Sequence, residues 1–417
     1  MSVPSYFRRS LLLFSILLST AFIVEAPDWG FYAHRRINRL AVFTLPPEMT
    51  GFYKKHLEYI TEHAVDPDKR RYATRHEAPR HFIDIDHWGT YPFAQVPRRW
   101  TDALVRYANL EVIDSHGDTL TLIDSSAIRV VEEQLVFTGK EAAVLQESGL
   151  SMTQYRRFFQ EQILPQYYEE EWIVECDSLV AMLGKPLGCR EVIVTDHFSE
   201  YGILPYHLLR MQRNLTEAFR QGSVARILRL SAEMGHYIGD AHVPLHTTEN
   251  YNGQLTDQVG IHAFWESRIP ELFADEEFDN FVGRAEYIAD PPSFYWDVVL
   301  KSHQLVDSVL TIEKNLSLDF PRDQQYCYEE RLGRTIRVEC TEYARAYRER
   351  MRGMVEERWR ATIRCIGSAW YTAWIDAGKP DLSVLEQGLT PDEEVYFKSL
   401  DEAYREGQAK GRKHSGQ

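Results

Sequence analysis

The feature that most constrains the fold is a predicted helix at residues 223–239 that leads into GHYIGDAHVPLH (235–246), a stretch crowded with histidine and aspartate. The sequence SVARILRLSAEMGHYIGD repeats apolar residues at the spacing of a core-facing helix. His236 and Asp240 are four residues apart, so they lie on one helix face with Cβ atoms about 5–6 Å apart. Pro244 then turns the chain and lets His246 approach from another direction. A lone buried histidine is usually a hydrogen-bonded core residue, but several beside a proline turn favour ligands of a metal ion.

A second pair of histidine and carboxylate has the same helical spacing. In GIHAFWESRI, His262 and Glu266 are four residues apart and share one face of a predicted helix. Imidazole and carboxylate are the ligands that zinc takes when no thiolate is present. Such a pair also forms ordinary surface hydrogen bonds, so alone it leaves both interpretations open.

Two motifs near the start of the chain carry the same residue types. RHFIDID contains His81 and follows HAVDPDKRR with Asp66, and DWGFYAH places His34 five residues after Trp29. Each motif alone is ordinary, but together the four motifs supply five histidines and three carboxylates. The predicted metal ligands are His34, Asp66, His81, His236, Asp240, His246, His262 and Glu266.

Helical periodicity also dominates the rest of the chain, whereas strand-like alternation is scarce and is strongest at 118–124 and 190–196. We therefore predict an all-α, multi-helix single domain over residues 27–406. The stretch 111–194 is expected to be an inserted elaboration, and 407–417 a polar tail. The predicted helices include 99–111, 205–221, 292–314, 340–377 and 391–408.

The first 26 residues have the composition of a signal peptide. Arg8 and Arg9 precede an almost wholly apolar run, Leu11 to Val24, which is too short to span a bilayer comfortably. We therefore expect a secreted or periplasmic protein with no stable membrane anchor. The alternative is that this segment holds the protein at a membrane.

Four of the cysteines form two pairs of equal spacing, Cys176 with Cys189 and Cys327 with Cys340, which leaves Cys365 over. After export, each pair could close a local loop as a disulfide. Small buried thiols are an equally good interpretation.

The net charge of −15 gives the protein no overall basic field that would attract polyanions. One basic run does lie between Asp66 and His81. It either contacts the phosphates of a nucleic acid or bilayer, or is a solvated loop. Its members are Lys69, Arg70, Arg71, Arg75 and Arg80.

Taken in order, the motifs WGFYAH, AVD, HFID, HYIGDAHVPLH and GIHAFWE resemble those of one enzyme superfamily. It comprises zinc-dependent phospholipase C and the single-strand-specific zinc nucleases of the nuclease P-one type. The motifs run from residue 29 to 266, and CIGSAWYTAWIDAG resembles the last helix of that superfamily. The resemblance implies an all-helical fold with three zinc ions in a cleft, and hydrolysis of a phosphodiester by metal-activated water.

The resemblance also implies roles for particular residues, with Asp66 or Asp240 orienting the attacking water. Cleavage directly before Trp29 would be atypical for a signal peptidase, and without a free amine there the zinc at His34 would be weak or missing. The implied ligand sets are Asp66, His81, His236 and Asp240 for one zinc; Asp240, His34 and the amine and carbonyl of Trp29 for a second; and His246, His262 and Glu266 for a third.

The motifs are divided over the substrate, which is either single-stranded nucleic acid or a phospholipid head group. Phe82 and Asp84 resemble the nuclease residues that stack on a base and hydrogen-bond to it. Glu266 and the stretch HTTENYN, with Asn252, are closer to the phospholipases. An aromatic ring at Phe82 could serve either substrate, by stacking or by cation–π attraction, or could belong to the core.

Two other classes of function stay open from the sequence. One is a non-catalytic protein that binds zinc for storage or structure, which predicts closed coordination with no position for water. The other is a cell-surface interaction protein on the same fold, which predicts missing ligands.

Overall fold

The computed structural model describes residues 31–138, 150–167, 172–184, 188–331, 334–385, 391–407 and 409–410. The predicted signal peptide at 1–26 and Trp29 lie outside these ranges, as does most of the predicted tail. No helix in the described ranges is long and apolar enough to cross a membrane.

Helices form most of the described chain, and several of them are short. A π-helical turn at Phe264–Arg268 joins α10 to α11. The helices are α1 (Phe31–Ala41), α2 (Pro47–Lys55), α3 (Leu57–Glu62), α4 (Asp66–Arg70), α5 (Trp100–Tyr107), α6 (Met152–Phe158), α7 (Cys176–Leu183), α8 (Leu204–Gln221), α9 (Val224–His242), α10 (Ile261–Ala263), α11 (Ile269–Phe273), α12 (Pro291–His303), α13 (Val306–Asp319), α14 (Thr341–Arg350), α15 (Met354–Asp376) and α16 (Pro391–Glu406).

The central helix is α9, which is buried along nearly its whole length and packs against α1, α8 and α15. Two glycines on α9 allow α1 to cross it closely. A Cβ on Gly235 would overlap the side chain of Asn38, and a Cβ on Gly239 would lie 3.0 Å from His34 Nδ1. Asn38 Nδ2 donates to the Ala232 carbonyl at 2.9 Å, which fixes this crossing. The close crossing brings the histidine of α1 to the polar end of α9.

The prediction of an all-α domain is wrong, because the chain also contains three antiparallel sheets. The largest has the strand order β2-β1-β6-β5 and lies between Ala108 and Asp196. Leu110 pairs with Val194, and Val112 with Val192, so apolar side chains line its buried face. The strands are β1 (Ala108–Ile113), β2 (Thr119–Ile123), β3 (Ile128–Val131), β4 (Gln134–Phe137), β5 (Trp172–Val174), β6 (Glu191–Asp196), β7 (Tyr326–Arg331) and β8 (Arg334–Glu339).

Both strand-like segments of the sequence are strands, β2 and β6. The predicted helix at 99–111 ends at Tyr107, however, and the chain continues directly as β1. The buried residues of β1 are the alternate ones, which is the period of a strand with one face on the core. They join the same apolar cluster as the helices, so sheet and helices share one core.

Both cysteine pairs are disulfides. Cys327–Cys340 connects β7 to the residue after β8, and Cys176–Cys189 connects the start of α7 to the approach of β6. The fifth cysteine, Cys365, is a buried free thiol on α15.

Candidate metal centre

The polar end of α9 is the centre of the first ligand group. His236 Nε2 lies 3.4 Å from Asp240 Oδ2, as the spacing of four residues predicts. From α1, His34 stacks on His236 with ring centroids 3.8 Å apart and places its Nε2 3.5 Å from Asp240 Oδ1. All three residues are buried. The close crossing of α1 and α9 therefore brings together two imidazoles and one carboxylate.

The second ligand group joins the first through His236. His81 Nδ1 lies 3.1 Å from His236 Nε2 and 3.0 Å from Asp240 Oδ2. Asp68, on α4, places its Oδ1 3.9 Å from the His81 nitrogen and 3.7 Å from the His236 nitrogen. We call the five residues of these two groups the inner cluster: His34, Asp68, His81, His236 and Asp240.

The third ligand group, which we call the outer cluster, consists of His246, His262 and Glu266. His246 lies in a 3₁₀ turn after α9, and the other two lie in α10 and the π-helical turn that follows it. Glu266 Oε2 is 3.0 Å from Nε2 of each histidine, and the two Nε2 atoms are 2.9 Å apart. His246 Nδ1 is also 3.9 Å from Asp240 Oδ1, so the two clusters adjoin.

The donor atoms of each group could hold a metal ion. In each of the three groups they lie within 4.8 Å of one another. Nitrogen and oxygen ligands about 2.0–2.1 Å from a tetrahedral zinc are about 3.3 Å apart, which is close to the spacings found here. On the far sides of their rings, His34 Nδ1 is buried without a hydrogen-bond partner among the described residues, and His81 Nε2 lies 3.6 Å from Glu77 Oε1. Both the donor chemistry and the spacing therefore fit a metal centre.

Two of the imidazoles are oriented by backbone carbonyls. His236 Nδ1 donates to the Ala64 carbonyl at 2.9 Å, and His246 Nδ1 donates to the His81 carbonyl at 2.5 Å. Each ring therefore presents the lone pair of Nε2 to its cluster, which is the usual way in which a metal-binding histidine is fixed. The single lone pair of His236 is available to one ion only.

Three ionisable groups around Asp240 have shifted pKa values in the metal-free protein. Burial, together with the charge of His34, lowers the pKa of His236 to about 4. Burial also disfavours the charged form of His246, but Asp240 and Glu266 outweigh it and raise the pKa of His246 to about 9. The pKa of Asp240 is lowered despite burial, because His236, His246 and His81 surround its carboxylate.

Seven of the eight predicted ligands therefore lie in the two clusters, and Asp66 does not. The Asp66 carboxylate lies 2.5 Å from His63 Nδ1 and 3.3 Å from Lys69 Nζ. Asp68, which the sequence reasoning missed, occupies the corresponding place beside His81. The only signal for it was the repeat of aspartate in HAVDPD.

The three predicted substrate-binding residues are buried near this centre. Phe82, Asp84 and Asn252 are 7%, 5% and 4% exposed. The backbone on either side of Phe82 is anchored, since Ile83 N donates to the His246 carbonyl at 2.9 Å and Asp84 N to the Tyr201 carbonyl at 2.7 Å. Asn252 Oδ1 accepts from Gly260 N at 3.0 Å and so holds the loop before α10.

Much of the basic run is paired with acidic side chains of the same chain. Arg70 and Arg80 contact Glu77 at 3.3 and 2.7 Å, and Lys69 contacts Asp401 at 2.8 Å. Arg71 Nη1 lies 3.8 Å from Asp68 Oδ1, so pairing accounts for four of the five residues without an external phosphate.

No family model, curated protein or solved structure matches this chain. A function can therefore be proposed only from the chemistry and geometry of the two clusters.

Proposed function

We propose that this protein is a zinc-dependent hydrolase of phosphodiesters that acts outside the cytoplasm. The observation that carries the proposal is the position of Asp240, whose carboxylate lies 3.0–3.9 Å from four histidines of the two clusters. A carboxylate among so many imidazole rings is suited to bridging neighbouring metal ions. Closely spaced ions are the usual device for cleaving phosphoric esters.

Zinc is the metal that the donor set favours. The clusters offer imidazole and carboxylate with no thiolate, and the spacing of the donors fits tetrahedral coordination. When bound, zinc would polarise the phosphorus–oxygen bonds and lower the pKa of coordinated water to near neutrality.

Because His236 has a single lone pair, it could bind one ion only. Asp68, His81, His236 and Asp240 would hold that ion. His34 is then left with the second oxygen of Asp240, and further donors are needed there. The resemblance assigns that role to Trp29.

Two carboxylates of the centre face solvent, and this favours catalysis over closed structural coordination. The side chains of Asp68 and Glu266 are 21% and 20% exposed, whereas that of Asp240 is 2% exposed. A catalytic metal keeps one position open for water, and these two residues are the more exposed of the three carboxylates. We assign Asp68 to orient the attacking water and accept its proton, and Glu266 would hold an ion that stabilises the leaving oxygen.

Two disulfides support the extracellular part of the proposal. Disulfides persist in oxidising compartments, such as the periplasm or the cell exterior, and are rare in the cytosol.

The test is hydrolysis by one zinc-loaded preparation, with and without chelator, of single-stranded DNA and of phosphatidylcholine vesicles. We expect chelator-sensitive hydrolysis of one of the two, which also identifies the substrate. A preparation with all its zinc that hydrolyses neither would contradict the proposal and favour a storage or structural role.

A matched pair of variants tests the assignment on α4. Asp68→Asn is expected to reduce hydrolysis by about 100-fold or more, since it removes both a ligand and the water-orienting group. Asp66→Asn, two residues away, is expected to retain most of the rate. The reverse result would favour the ligand set that the resemblance implies.

A further inference from the structure

The last described helix, α16, packs against the part of the chain that carries Asp68. Its Phe397 ring lies 4.2 Å from the ring of His63, and its Asp401 carboxylate lies 2.8 Å from Lys69 Nζ. Beyond α16, Lys410 N donates to the Arg71 carbonyl at 2.7 Å. These contacts flank Asp68 on both sides along the chain.

The helix that receives these contacts is too short to be stable alone. With five residues, α4 has little more than one turn of backbone hydrogen bonds, so tertiary contacts must hold it in place. The orientation of the Asp68 carboxylate therefore depends on what packs around α4.

A second connection runs from α16 to His81 through buried charges. Arg70 Nε donates to the Tyr396 hydroxyl at 2.8 Å, and its Nη1 lies 3.3 Å from Glu77 Oε2. Arg70 also pairs with Glu233. The guanidinium is thus held on one side by two buried carboxylates and on the other by a side chain of α16.

Glu77 is fully buried and lies behind the imidazole of His81. It accepts hydrogen bonds from Arg80 at 2.7 Å and from the Tyr237 hydroxyl, and its Oε1 is 3.6 Å from His81 Nε2. Because His81 presents Nδ1 to the inner cluster, the carboxylate of Glu77 faces the opposite edge of the ring. Carboxylates in this position orient a metal-binding histidine and increase its basicity.

We infer that α16 is a strap that sets the metal affinity of the inner cluster, with Tyr396 and Asp401 as positioning residues. Asp401 holds α4, and hence Asp68, through Lys69. Tyr396 holds His81 through Arg70 and Glu77. The outer cluster is built from residues 246–266, whereas the contacts of α16 described above lie around α4. The inference rests on the metal binding that the proposed function requires.

The experiment is a titration of metal-free protein with Co²⁺ and Zn²⁺, following the cobalt d–d absorption bands, on the full chain. Tyr396→Phe removes one hydroxyl and Asp401→Asn one charge. We expect each to weaken the binding of one metal equivalent by about three- to tenfold, and the double variant by about 10- to 100-fold. The cobalt bands of that equivalent should shift, while those of the outer cluster stay unchanged.

Ser399→Ala is the matched control on the same helix. Its hydroxyl donates to the Tyr396 carbonyl at 2.7 Å, within α16, so its loss should leave metal binding at the wild-type value. Thermal unfolding of the metal-free proteins separates positioning from folding, because a merely structural strap would lower the melting temperature without moving affinity or spectrum.

Wild-type affinities and cobalt bands in the Tyr396→Phe, Asp401→Asn double variant would overturn the inference. Absence of metal binding in the wild type would instead overturn the proposed function. The two failures are therefore distinguishable in one set of titrations.

Discussion

The inner and outer clusters use the same residue types but are built in different ways. The inner cluster is assembled from α1, α4, α9 and the segment around His81, which are far apart in sequence and meet through the packing of the core. The outer cluster is contained within residues 246–266 and rests on one turn and one interrupted helix. Tertiary packing therefore determines the first arrangement, and local backbone geometry determines the second.

The histidines also differ in protonation, although not by cluster, since within the inner cluster Asp240 and Glu77 outweigh burial and raise the pKa of His81. Burial dominates for His236 and lowers its pKa to about 4, whereas the carboxylates around His246 outweigh burial and raise its pKa to about 9. One ring is a neutral donor in the absence of metal, and the other must lose a proton before it can bind metal.

Loss of Asp240 is expected to have the largest effect, because it removes the group that joins the two clusters. Asp240→Asn should reduce hydrolysis by at least about 1,000-fold and lower the zinc content by more than one equivalent. Metal analysis and initial rates would measure both. A variant that loses only one equivalent would show that the clusters bind metal independently.

The opposite pKa shifts predict opposite effects of pH on the stability of the metal-free protein. His246 has a raised pKa, so its contribution is complete below about pH 6.5 and is lost as the pH rises through about 9. The shift corresponds to about 3 kcal/mol. His236 has a lowered pKa, so its contribution is complete above about pH 6.5 and is lost as the pH falls towards 4.

Urea unfolding of chelator-treated wild type and His246→Gln measures the first of these effects. The wild type should be the more stable of the two at pH 6.5, and the gap should shrink as the pH approaches 9. A gap that grows with pH would mean that burial, and not the carboxylates, governs His246.

The effect of losing the Glu266 carboxylate should be confined to the outer cluster. Glu266→Gln keeps the size of the side chain but removes the charge that both His246 and His262 contact at 3.0 Å. We expect the loss of one zinc equivalent and a decrease in rate of about 10- to 100-fold. If the variant kept that zinc equivalent, the two histidines and solvent would account for its binding.

The smallest expected effect comes from a substitution at Gly239, where α1 crosses α9, and it concerns the inner cluster alone. A Cβ at Gly239 would lie 3.0 Å from His34 Nδ1 and push that ring away from Asp240. Gly239→Ala should weaken one metal equivalent by about threefold, although alanine favours a helix by up to about 1 kcal/mol. Equilibrium dialysis would detect the change. An unchanged metal affinity would show that α1 shifts as a rigid body and keeps His34 near Asp240.

The contrast between the clusters also explains what could be predicted from the sequence. Every member of the outer cluster was predicted: His262 and Glu266 because an interval of four residues in a helix places two side chains on one face, and His246 from the turn at Pro244. The same rule gave His236 and Asp240.

The inner cluster was predicted less completely because its remaining members depend on packing. Asp66 and Asp68 are two residues apart on α4, so their side chains point about 200° apart and only one can face the centre. The sequence does not say which, and contacts of Asp66 with His63 and Lys69 decide it.

The strands now called β2 and β6 were indicated by the sequence, but the sheets as a whole were missed for a similar reason. The helix pattern before Tyr107 continues into ANLEVI, whose apolar residues fit a strand as well as a helix, and pairing with β6 decides for the strand. The hairpin of β7 and β8 was hidden because β7 is mostly exposed and its sequence, YCYEER, lacks the apolar alternation of a core strand, although the disulfide of the hairpin was a usable signal.

The two glycines of GHYIGD have a consequence for protein engineering. They are the reason that the backbones of α1 and α9 come close enough for His34 to reach Asp240. Grafting the inner ligands onto another helical scaffold would therefore fail if only the histidines and carboxylates were copied. The smallest transferable unit is the pair of crossing helices, with Gly235, Gly239 and Asn38 included, although none of these three donates to a metal.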